Sequence, residues 1–422
     1  MAAPKMRKFD IIIIGGGAAG LIAALQAKHE APHLSVAVLE KEARPGRKLL
    51  ATGNGRCNIA NRRAAREHYF NAAGDNPAFV QAALKAYPVA DNLAFFRDMG
   101  LLTKEEADGK MYPLGDQAAA VVDTLRLHIA AKQVALITET EVLGINRQLQ
   151  IHTNNGDFAA GAVILALGGV ASPKLSTSGN FAEMLKPLGH RTTPLYPALC
   201  QIKTESPLPK ALQGIKFVGR AEIRQQNRLL GAEEGEILFA AYGVSGPPIL
   251  QLSRLAAADY PNPPSIPQEI RLDMLPNMTE EEIAAELRRR QKLPLTLEDY
   301  LTGMLNKRLG QQMIKLATPR KLSEPAESLT ADEIKRLAHL LKCLSLPISG
   351  VTGWQQAQVM AGGLELKGFT AQNLASRLVP GLFAAGEVLD ICGACGGYNL
   401  TWAWSSGRLA AHSAVNLLQK GR

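Results

Sequence analysis

The sequence predicts an α/β fold, in which a Rossmann-like domain carries an inserted antiparallel β-barrel-like domain and a helical subdomain. Three observations support this prediction. A strand, a glycine-rich turn, a helix, a strand and an acid follow one another near the start of the chain. A strand that ends in a glycine and an acid lies near its end. Between them, short alternating strands precede amphipathic helices.

The first motif is a complete dinucleotide-binding pattern. Lys8–Ile14 is typical of a buried parallel strand, and it leads directly into the glycine-rich turn Gly15–Gly20. A helix over Leu21–His29 and a strand over Leu34–Leu39 are expected next, and Glu40 ends that strand. A lone glycine motif would be weak evidence, but these parts in this order strongly indicate a dinucleotide site.

Each residue of this motif has a physical role. Gly15 allows the tight turn, Gly17 allows the backbone to approach a pyrophosphate, and Gly20 allows close packing of the helix on the strand. The N-terminus of the helix faces the phosphate charge. Because Glu40 can accept hydrogen bonds from ribose hydroxyls and would repel a 2′-phosphate, the site favours FAD or NAD over NADP.

A second set of strands points to FAD. Gly381–Glu387 contains a short apolar strand that ends in Gly386 and Glu387, and such a carboxylate can reach the ribityl chain of FAD. Ala162–Gly169 is a third buried strand that ends in glycines, and Thr138–Val142 is expected to be a strand that contacts the adenine. Because no second glycine motif is followed by an acid, we expect a flavoprotein without a separate nicotinamide domain.

Three domains are predicted, two of which are discontinuous in sequence. Residues 1–195 plus 370–422 form the FAD-binding domain, residues 196–275 plus 344–369 the barrel-like domain, and residues 276–343 the helical subdomain. Strands are expected over Phe217–Arg224 and Ile270–Met274, and a helix over Ile249–Ala258. Capping boxes at Thr279–Glu282 and Thr330–Glu333 predict two further helices.

Charge and composition limit the partners and the compartment. The net charge is +9, and residues 1–70 hold twelve Lys and Arg against five acids, which favours either an anionic partner such as RNA or an ordinary solvated basic face. The arginines of Arg288–Arg290 admit the same two interpretations, and compensation of the helix dipole is favoured. The longest apolar run near the start, Phe9–Ile14, is too short to span a membrane, so we expect a cytoplasmic protein without a membrane partner.

The chain resembles the BaiN/RdsA (YhiN-like) family of FAD-dependent NAD(P)H oxidoreductases over essentially its whole length. The matching stretches are Ile12–Gly20, Gly46–Asn58, Tyr242–Pro247, Ala357–Gly363, Gly381–Leu389, Gly396–Asn399 and Trp402–Gly407. The resemblance implies bound FAD, with NADH or NADPH as a transient reductant. It departs at Ala240–Ala241, where many members have Thr-His, so a histidine acid is not carried over there.

Together, the motifs and the resemblance predict a set of cofactor-binding residues. This set is Gly15, Gly17, Ala18, Ala19, Gly20, Glu40, Lys41, Lys48, Thr52, Gly53, Arg56, Val142, Gly168, Gly386, Glu387, Gly397, Tyr398, Asn399 and Leu400. Tyr398 and Asn399 are expected just before a helix that begins near Thr401, whose N-terminus can stabilise the anion of a reduced flavin.

The cysteines leave two questions open. Cys57 matches the family motif as a catalytic candidate, either as a proton donor or as a residue that packs against the flavin, and the adjacent Arg56 is expected to favour its thiolate. Cys392 and Cys395 have the spacing of a redox disulfide or of half a metal site, although no second pair or nearby histidine supports a metal. Five cysteines spread over the chain fit a reducing compartment.

Three functions remain compatible with these features. The first is a dihydrouridine synthase that reduces uridine in the ribosomal RNA of the large subunit, favoured by the resemblance and by the basic N-terminal segment. The second is a small-molecule ene-reductase or an amine oxidase. The third is a non-catalytic flavin-binding protein associated with ribosomes. The sequence does not distinguish NADH from NADPH, and it gives no oligomeric state.

Overall fold

The structure, a computed structural model, describes residues 6–72, 77–175 and 181–420. Its strands are Arg7–Ile14 (β1), Val36–Leu39 (β2), Ala60–Asn61 (β3), Tyr69–Phe70 (β4), Thr103–Glu105 (β5), Lys110–Pro113 (β6), Ala135–Ile137 (β7), Val142–Ile145 (β8), Gln150–Thr153 (β9), Gly156–Leu165 (β10), Tyr196–Ala198 (β11), Ile202–Thr204 (β12), Lys216–Gln225 (β13), Arg228–Ala240 (β14), Gly243–Ser245 (β15), Gln268–Asp273 (β16), Leu344–Val351 (β17), Val359–Ala361 (β18), Leu382–Ala384 (β19) and Cys392–Gly393 (β20).

Many of the α-helices begin directly after a Gly, Pro, Asn or Thr residue. They are Ala18–Glu30 (α1), Arg47–Ala51 (α2), Pro77–Ala86 (α3), Val89–Asp98 (α4), Ala118–Ala131 (α5), Phe181–Leu185 (α6), Leu208–Ala211 (α7), Pro247–Ala256 (α8), Glu280–Arg290 (α9), Lys307–Ala317 (α10), Ala331–Lys342 (α11) and Tyr398–Lys420 (α12). None of those in the described ranges is long and apolar enough to cross a lipid bilayer.

Residues 1–195 and 359–422 form one compact unit around a mixed sheet. The strand order is β7-β2-β1-β10-β9-β8, and β19 pairs with the C-terminal part of β10. β1 pairs in parallel with both β2 and β10, whereas β8 and β9 complete an antiparallel edge. Ile11–Ile14 is fully buried, as expected for a strand that is covered on both faces of a parallel sheet.

The predicted adenine-contacting strand over Thr138–Val142 is wrong. Residues 138–141 form the connection between β7 and β8, and only Val142 belongs to a strand. Glu139 has a φ of 52°, and this left-handed conformation interrupts an extended chain. The N–H groups of Glu139 and Thr140 donate to the carbonyl oxygens of Glu42 and Glu40. The connection therefore lies beside the end of β2.

Helix α12 packs against α1 in this unit. A Cβ atom added to Gly407 would lie 2.5 Å from the carbonyl oxygen of Ala19, so the two helix backbones touch where the side chain is absent. The helix begins at Tyr398, one turn earlier than the sequence predicts, and Tyr398 and Asn399 therefore lie in its first turn. This places the start of α12 directly after Gly396 and Gly397.

Residues 196–358 form the second compact unit, which contains a closed antiparallel barrel. The strand order is β12-β15-β14-β13-β16-β17. Ala221 and Ile223 on β13, and Ile270 and Leu272 on β16, are buried and alternate with polar residues, as in a strand with one buried face. The barrel confirms the predicted α/β fold class with an antiparallel insertion.

The helices of the second unit follow their predicted caps. The side chains of Thr279 and Thr330 each accept a hydrogen bond from the backbone N–H of the glutamate three residues later. The carboxylate of that glutamate in turn accepts from the backbone N–H of the threonine. At the end of α9, Arg289 pairs with Glu286, and Arg290 donates to the carbonyl oxygens of Tyr300 and Thr302. These two arginines therefore serve local contacts within the helical segment.

Candidate functional site

The turn between β1 and α1 brings the backbone of two elements together. Gly15 has a φ of 108°, and a Cβ atom there would lie 2.3 Å from the carbonyl oxygen of Ala166. A Cβ atom on Gly20 would lie 1.9 Å from the carbonyl oxygen of Gly15. Both positions therefore need glycine, since any side chain would collide with backbone atoms.

Gly17 differs, because a Cβ atom there would meet no atom within 4 Å. It has no steric role within the described chain and borders open space at the start of α1. The first helical hydrogen bond is donated by Leu21 to Gly17, so the N–H groups of Ala18, Ala19 and Gly20 lie before the hydrogen-bonded part of the helix. Open space, unused N–H groups and a positive helix end fit a pyrophosphate.

Glu40 lies at the end of β2 next to this turn. Its Oε2 accepts from the N–H of Gly16 at 2.7 Å, and its Oε1 accepts from the N–H of Glu42 at 2.8 Å. Burial raises the pKa of Glu40, and the two backbone hydrogen bonds partly oppose this shift. The carboxylate is thus oriented by the chain and retains lone pairs for a hydroxyl donor, as the sequence predicts for a ribose.

Two predicted cofactor residues from opposite ends of the chain meet in an ion pair. Lys48 Nζ lies 2.9 Å from Glu387 Oε2, and Glu387 Oε1 accepts from the N–H of Met360 at 2.8 Å. A Cβ atom on Gly169 would lie 2.8 Å from the carboxyl carbon of Glu387, and one on Gly386 would lie 2.9 Å from the Cβ of Ala19. The ends of β10 and β19 therefore converge on the start of α1.

Arg56 contacts acids of the neighbouring hairpin. Its guanidinium pairs with Glu106 and, at 2.6 Å, with Asp116, and it stacks 4.2 Å from the ring of Tyr112. Lys104 also pairs with Asp116, and these two cations hold the pKa of Asp116 below its usual range. Arg56 thus ties residues 52–58 to the β5–β6 hairpin, and this is the contact that the structure shows for it.

The expectation that Arg56 favours a Cys57 thiolate is wrong. Cys57 is fully buried, and burial raises the pKa of its thiol to about 11, against a smaller opposing effect of a hydrogen bond with Thr52. Arg56 is occupied by Glu106 and Asp116. The thiol therefore keeps its proton, and its complete burial favours the packing role over that of a proton donor.

This environment leads to a prediction about thiol reactivity. In the native protein, Cys57 should resist iodoacetamide near neutral pH, because almost none of it is thiolate and the sulfur is covered. Peptide mass spectrometry after alkylation should show Cys57 labelled at least about tenfold more slowly than in urea-denatured protein, where an ordinary thiol pKa returns. Equal rates in the two states would contradict the buried placement.

The turn before α12 is organised by its own side chains. Asn399 accepts from the N–H of Gly393 at 2.8 Å and donates to the carbonyl oxygens of Gly393 and Ala394, so its amide is used inside the loop. Gly397 has a φ of 96°, and a Cβ atom there would lie 2.7 Å from Asn58 Oδ1. That Asn58 oxygen is buried and accepts no hydrogen bond from the described residues.

The remaining predicted residues are distributed around these contacts. Thr52 donates to the carbonyl oxygen of Leu49, Gly53 borders the N–H of Asn58, and a Cβ atom on Gly168 would meet nothing within 4 Å. Lys41 pairs with Glu141, which is half-buried. Val142, at the start of β8, and Leu400, in the first turn of α12, are partly buried.

Cys392 and Cys395 are both thiols in the structure. Cys392 is buried in β20, and burial raises the pKa of Cys395. Within the described part of the chain, no group of three His, Cys, Asp or Glu side chains is placed to hold a metal ion.

Some residues at this site have no individual sequence signal. Asn58 belongs to the Gly55–Asn58 motif, but no role followed for it from that motif. Glu106 and Asp116 are ordinary surface acids by pattern, 50 and 60 residues away from Arg56. His68 precedes a two-residue strand and belongs to no recognisable motif. Its ring stacks on that of Tyr398, with 4.4 Å between the centroids.

The chain is similar to known proteins over nearly its whole length. A family profile described as "HI0933-like protein Rossmann domain" matches residues 9–413. The "3-dehydro-bile acid delta(4,6)-reductase" of Clostridium scindens is 34% identical over 96% of this chain and 98% of its own length. The "Ribosomal RNA dihydrouridine synthase" of Escherichia coli is 27% identical over 97% of this chain and 99% of its own length.

Solved structures support the fold alone. The 3-ketosteroid delta1-dehydrogenase of Sterolibacterium denitrificans has a TM-score of 0.52 at 14% identity, and the match covers 97% of this chain and 100% of that one. The quinol fumarate reductase subunit FrdA of Escherichia coli has a TM-score of 0.51 at 17% identity, covering 99% of this chain and 72% of that one.

Proposed function

The chain belongs to the HI0933-like Rossmann-domain family and is a flavin-dependent oxidoreductase, and we propose that it reduces a carbon–carbon double bond conjugated to a carbonyl group. The names of its two relatives describe the same reaction class. Dihydrouridine is uridine whose ring double bond is saturated next to a carbonyl, and the bile-acid reductase acts on double bonds of a 3-dehydro steroid. This shared chemistry carries the proposal.

The residues present fit FAD as the cofactor. The open position at Gly17 and the start of α1 would hold the pyrophosphate, Glu40 the ribose, and Glu387, positioned by Lys48, the ribityl chain. When bound, FAD supplies two electrons and one hydrogen to the substrate and is reduced again by NADH or NADPH. The start of α12 follows directly after Gly397, and its positive end can stabilise negative charge there.

The protein must complete the reaction with a proton. Saturation breaks the π bond and forms two new C–H bonds, so one hydrogen comes from the reduced cofactor and one from an acid or a solvent path. Cys57 keeps its proton because its pKa is raised to about 11, but it is fully covered. We therefore propose that Cys57 packs beside the cofactor, so that Cys57→Ala retains both FAD and turnover.

We propose uridine in ribosomal RNA as the substrate. The net charge of +9 favours an anionic polymer, and dihydrouridine synthases from two bacteria match the chain over more than nine tenths of its length. Several basic residues of the N-terminal segment are paired with acids, among them Lys41, Arg47, Lys48, Arg56 and Arg62. Attraction to RNA thus depends on the electrostatic field of the whole protein more than on the basic residues of that segment.

The test is a dihydrouridine map of ribosomal RNA. In a strain without the gene, one position of the large-subunit RNA should remain uridine, and a plasmid copy should restore dihydrouridine there. A copy with Gly17→Ala should not restore it, which ties the modification to the cofactor site. An unchanged map in the deletion strain would exclude this substrate.

A small conjugated enone is the second candidate, because the bile-acid reductase is the more similar of these relatives at 34% identity. Anaerobic mixing of the reduced holoenzyme with a steroid enone distinguishes the two. Rapid reoxidation of the flavin by the steroid, together with an unchanged RNA map, would establish a small-molecule reductase. No reoxidation by the steroid and a lost dihydrouridine would establish the RNA enzyme.

A further inference from the structure

Two buried polar atoms of the first unit have no hydrogen-bond partner among the described residues, and both flank one dipeptide. Asn58 Oδ1 lies against Gly397, and His68 carries the other atom, Nδ1, in a ring that stacks on Tyr398. Buried unpaired polar atoms are uncommon in folded proteins and are often found at functional sites. Both atoms lie beside Gly397–Tyr398, at the start of α12, and this placement marks the start of α12 as a candidate ligand-binding position.

His68 is held firmly at this place. Its ring is nearly parallel to that of Tyr398, with an interplanar angle of 13°. Its carbonyl oxygen accepts from the N–H of Ala394, and the next two residues, in β4, pair with β20. Tyr69 also donates to the carbonyl oxygen of Tyr398 at 3.0 Å. The imidazole is therefore fixed relative to the Gly396–Tyr398 turn by both backbone and ring contacts.

The burial of Nδ1 favours one position for a hydrogen on the imidazole ring. A buried N–H without an acceptor is less tolerated than a buried lone pair without a donor, so the hydrogen is assigned to Nε2. His68 is only partly buried, and Nε2 is not among the buried atoms that lack a partner, so it is the ring nitrogen that a ligand can reach. His68 thus offers one oriented N–H group to a ligand.

Other polar side chains among the predicted cofactor-binding residues already have partners. Lys48 pairs with Glu387, Arg56 with Glu106 and Asp116, and the amide of Asn399 with its own loop. Arg63 and Lys110 both lie near Asp108. Reduction of an enone or of a uracil places negative charge on the conjugated carbonyl oxygen, and a fixed donor at that oxygen lowers the barrier.

We propose that His68 donates a hydrogen bond from Nε2–H to the carbonyl oxygen that is conjugated to the double bond being reduced. This proposal rests on the proposed function for its substrate, but the donor itself can be tested without turnover. A phenolate resembles the enolate-like oxygen of the transition state, so a donor that serves the reaction should also bind phenolates.

The test measures the binding of para-chlorophenol to the oxidised holoenzyme from the change in flavin absorbance. His68→Phe keeps the ring stack on Tyr398 but lacks the donor, and it should raise the Kd about 10- to 100-fold, as expected for a hydrogen bond to a charged oxygen. His68→Gln restores an N–H group and should recover part of the affinity. His128→Phe, a partly buried histidine on α5, should bind like the wild type.

The outcomes separate this proposal from the proposed function. Equal Kd values for wild type and His68→Phe, or no binding of the phenol to the wild type, would overturn the donor role. FAD content should be the same in all variants. If the His68 effect is present but neither cyclohexenone nor a ribosomal RNA transcript reoxidises the dithionite-reduced wild type, the donor stands and the proposed reaction is wrong.

Discussion

A Gly17→Ala protein is expected to fold normally and to lose most of its FAD. Its new methyl group would meet no atom of the described chain within 4 Å, and the φ of −83° and ψ of −165° at Gly17 are allowed for alanine. The methyl group would, however, occupy the space proposed for the pyrophosphate. Overpacking of one methyl group costs about 1–3 kcal/mol, so the Kd for FAD should rise about 10- to 100-fold.

Two matched variants make this result specific. Gly144→Ala, on β8, also adds a methyl group that meets no atom within 4 Å, and it should keep wild-type FAD content. Gly15→Ala would place its Cβ 2.3 Å from the carbonyl oxygen of Ala166 at a φ of 108°, and it should lower the melting temperature of the apoprotein. Wild-type FAD affinity in Gly17→Ala would disprove the pyrophosphate assignment.

The first motif could be predicted from sequence because its physical causes are local. A run of isoleucines specifies β1, glycines specify the turn, and alanine and leucine specify α1, so the elements were located to within a few residues. The helix starts after Thr279 and Thr330 could be predicted for the same reason, because both partners of each capping box lie within four residues. The antiparallel barrel followed from alternation along β13 and β16.

Contacts between distant residues could not be predicted in this way. Arg56 was expected to activate Cys57, but Glu106 and Asp116, 50 and 60 residues away, bind its guanidinium. The strand over Thr138–Val142 failed because the left-handed Glu139 is set by hydrogen bonds to residues after β2. A local pattern carries no signal for partners that only the folded chain brings together.

Arg408, in α12, is the clearest such contact, and Arg408→Met is expected to destabilise the first unit strongly. The side chain is 8% exposed and donates to Gln26 Oε1 at 2.7 Å and to Asn92 Oδ1 at 3.1 Å. Its guanidinium lies 4.3 Å from the ring of Tyr87 and 4.5 Å from that of Phe95. Burial lowers the pKa of Arg408, and these contacts compensate for the charge.

Methionine would keep the apolar bulk between the two rings but would leave the buried oxygens of Gln26 and Asn92 without donors. Each unsatisfied buried group costs about 1–3 kcal/mol, so the free energy of unfolding should fall by about 3 kcal/mol. Urea unfolding, followed by the fluorescence of the α12 tryptophans Trp402 and Trp404, measures this loss. Arg97→Met, at an exposed position of α4, should change stability by less than about 0.5 kcal/mol. If Arg408→Met matched Arg97→Met, the polar contacts of Arg408 would contribute nothing net to the packing of α12 on α1 and α4.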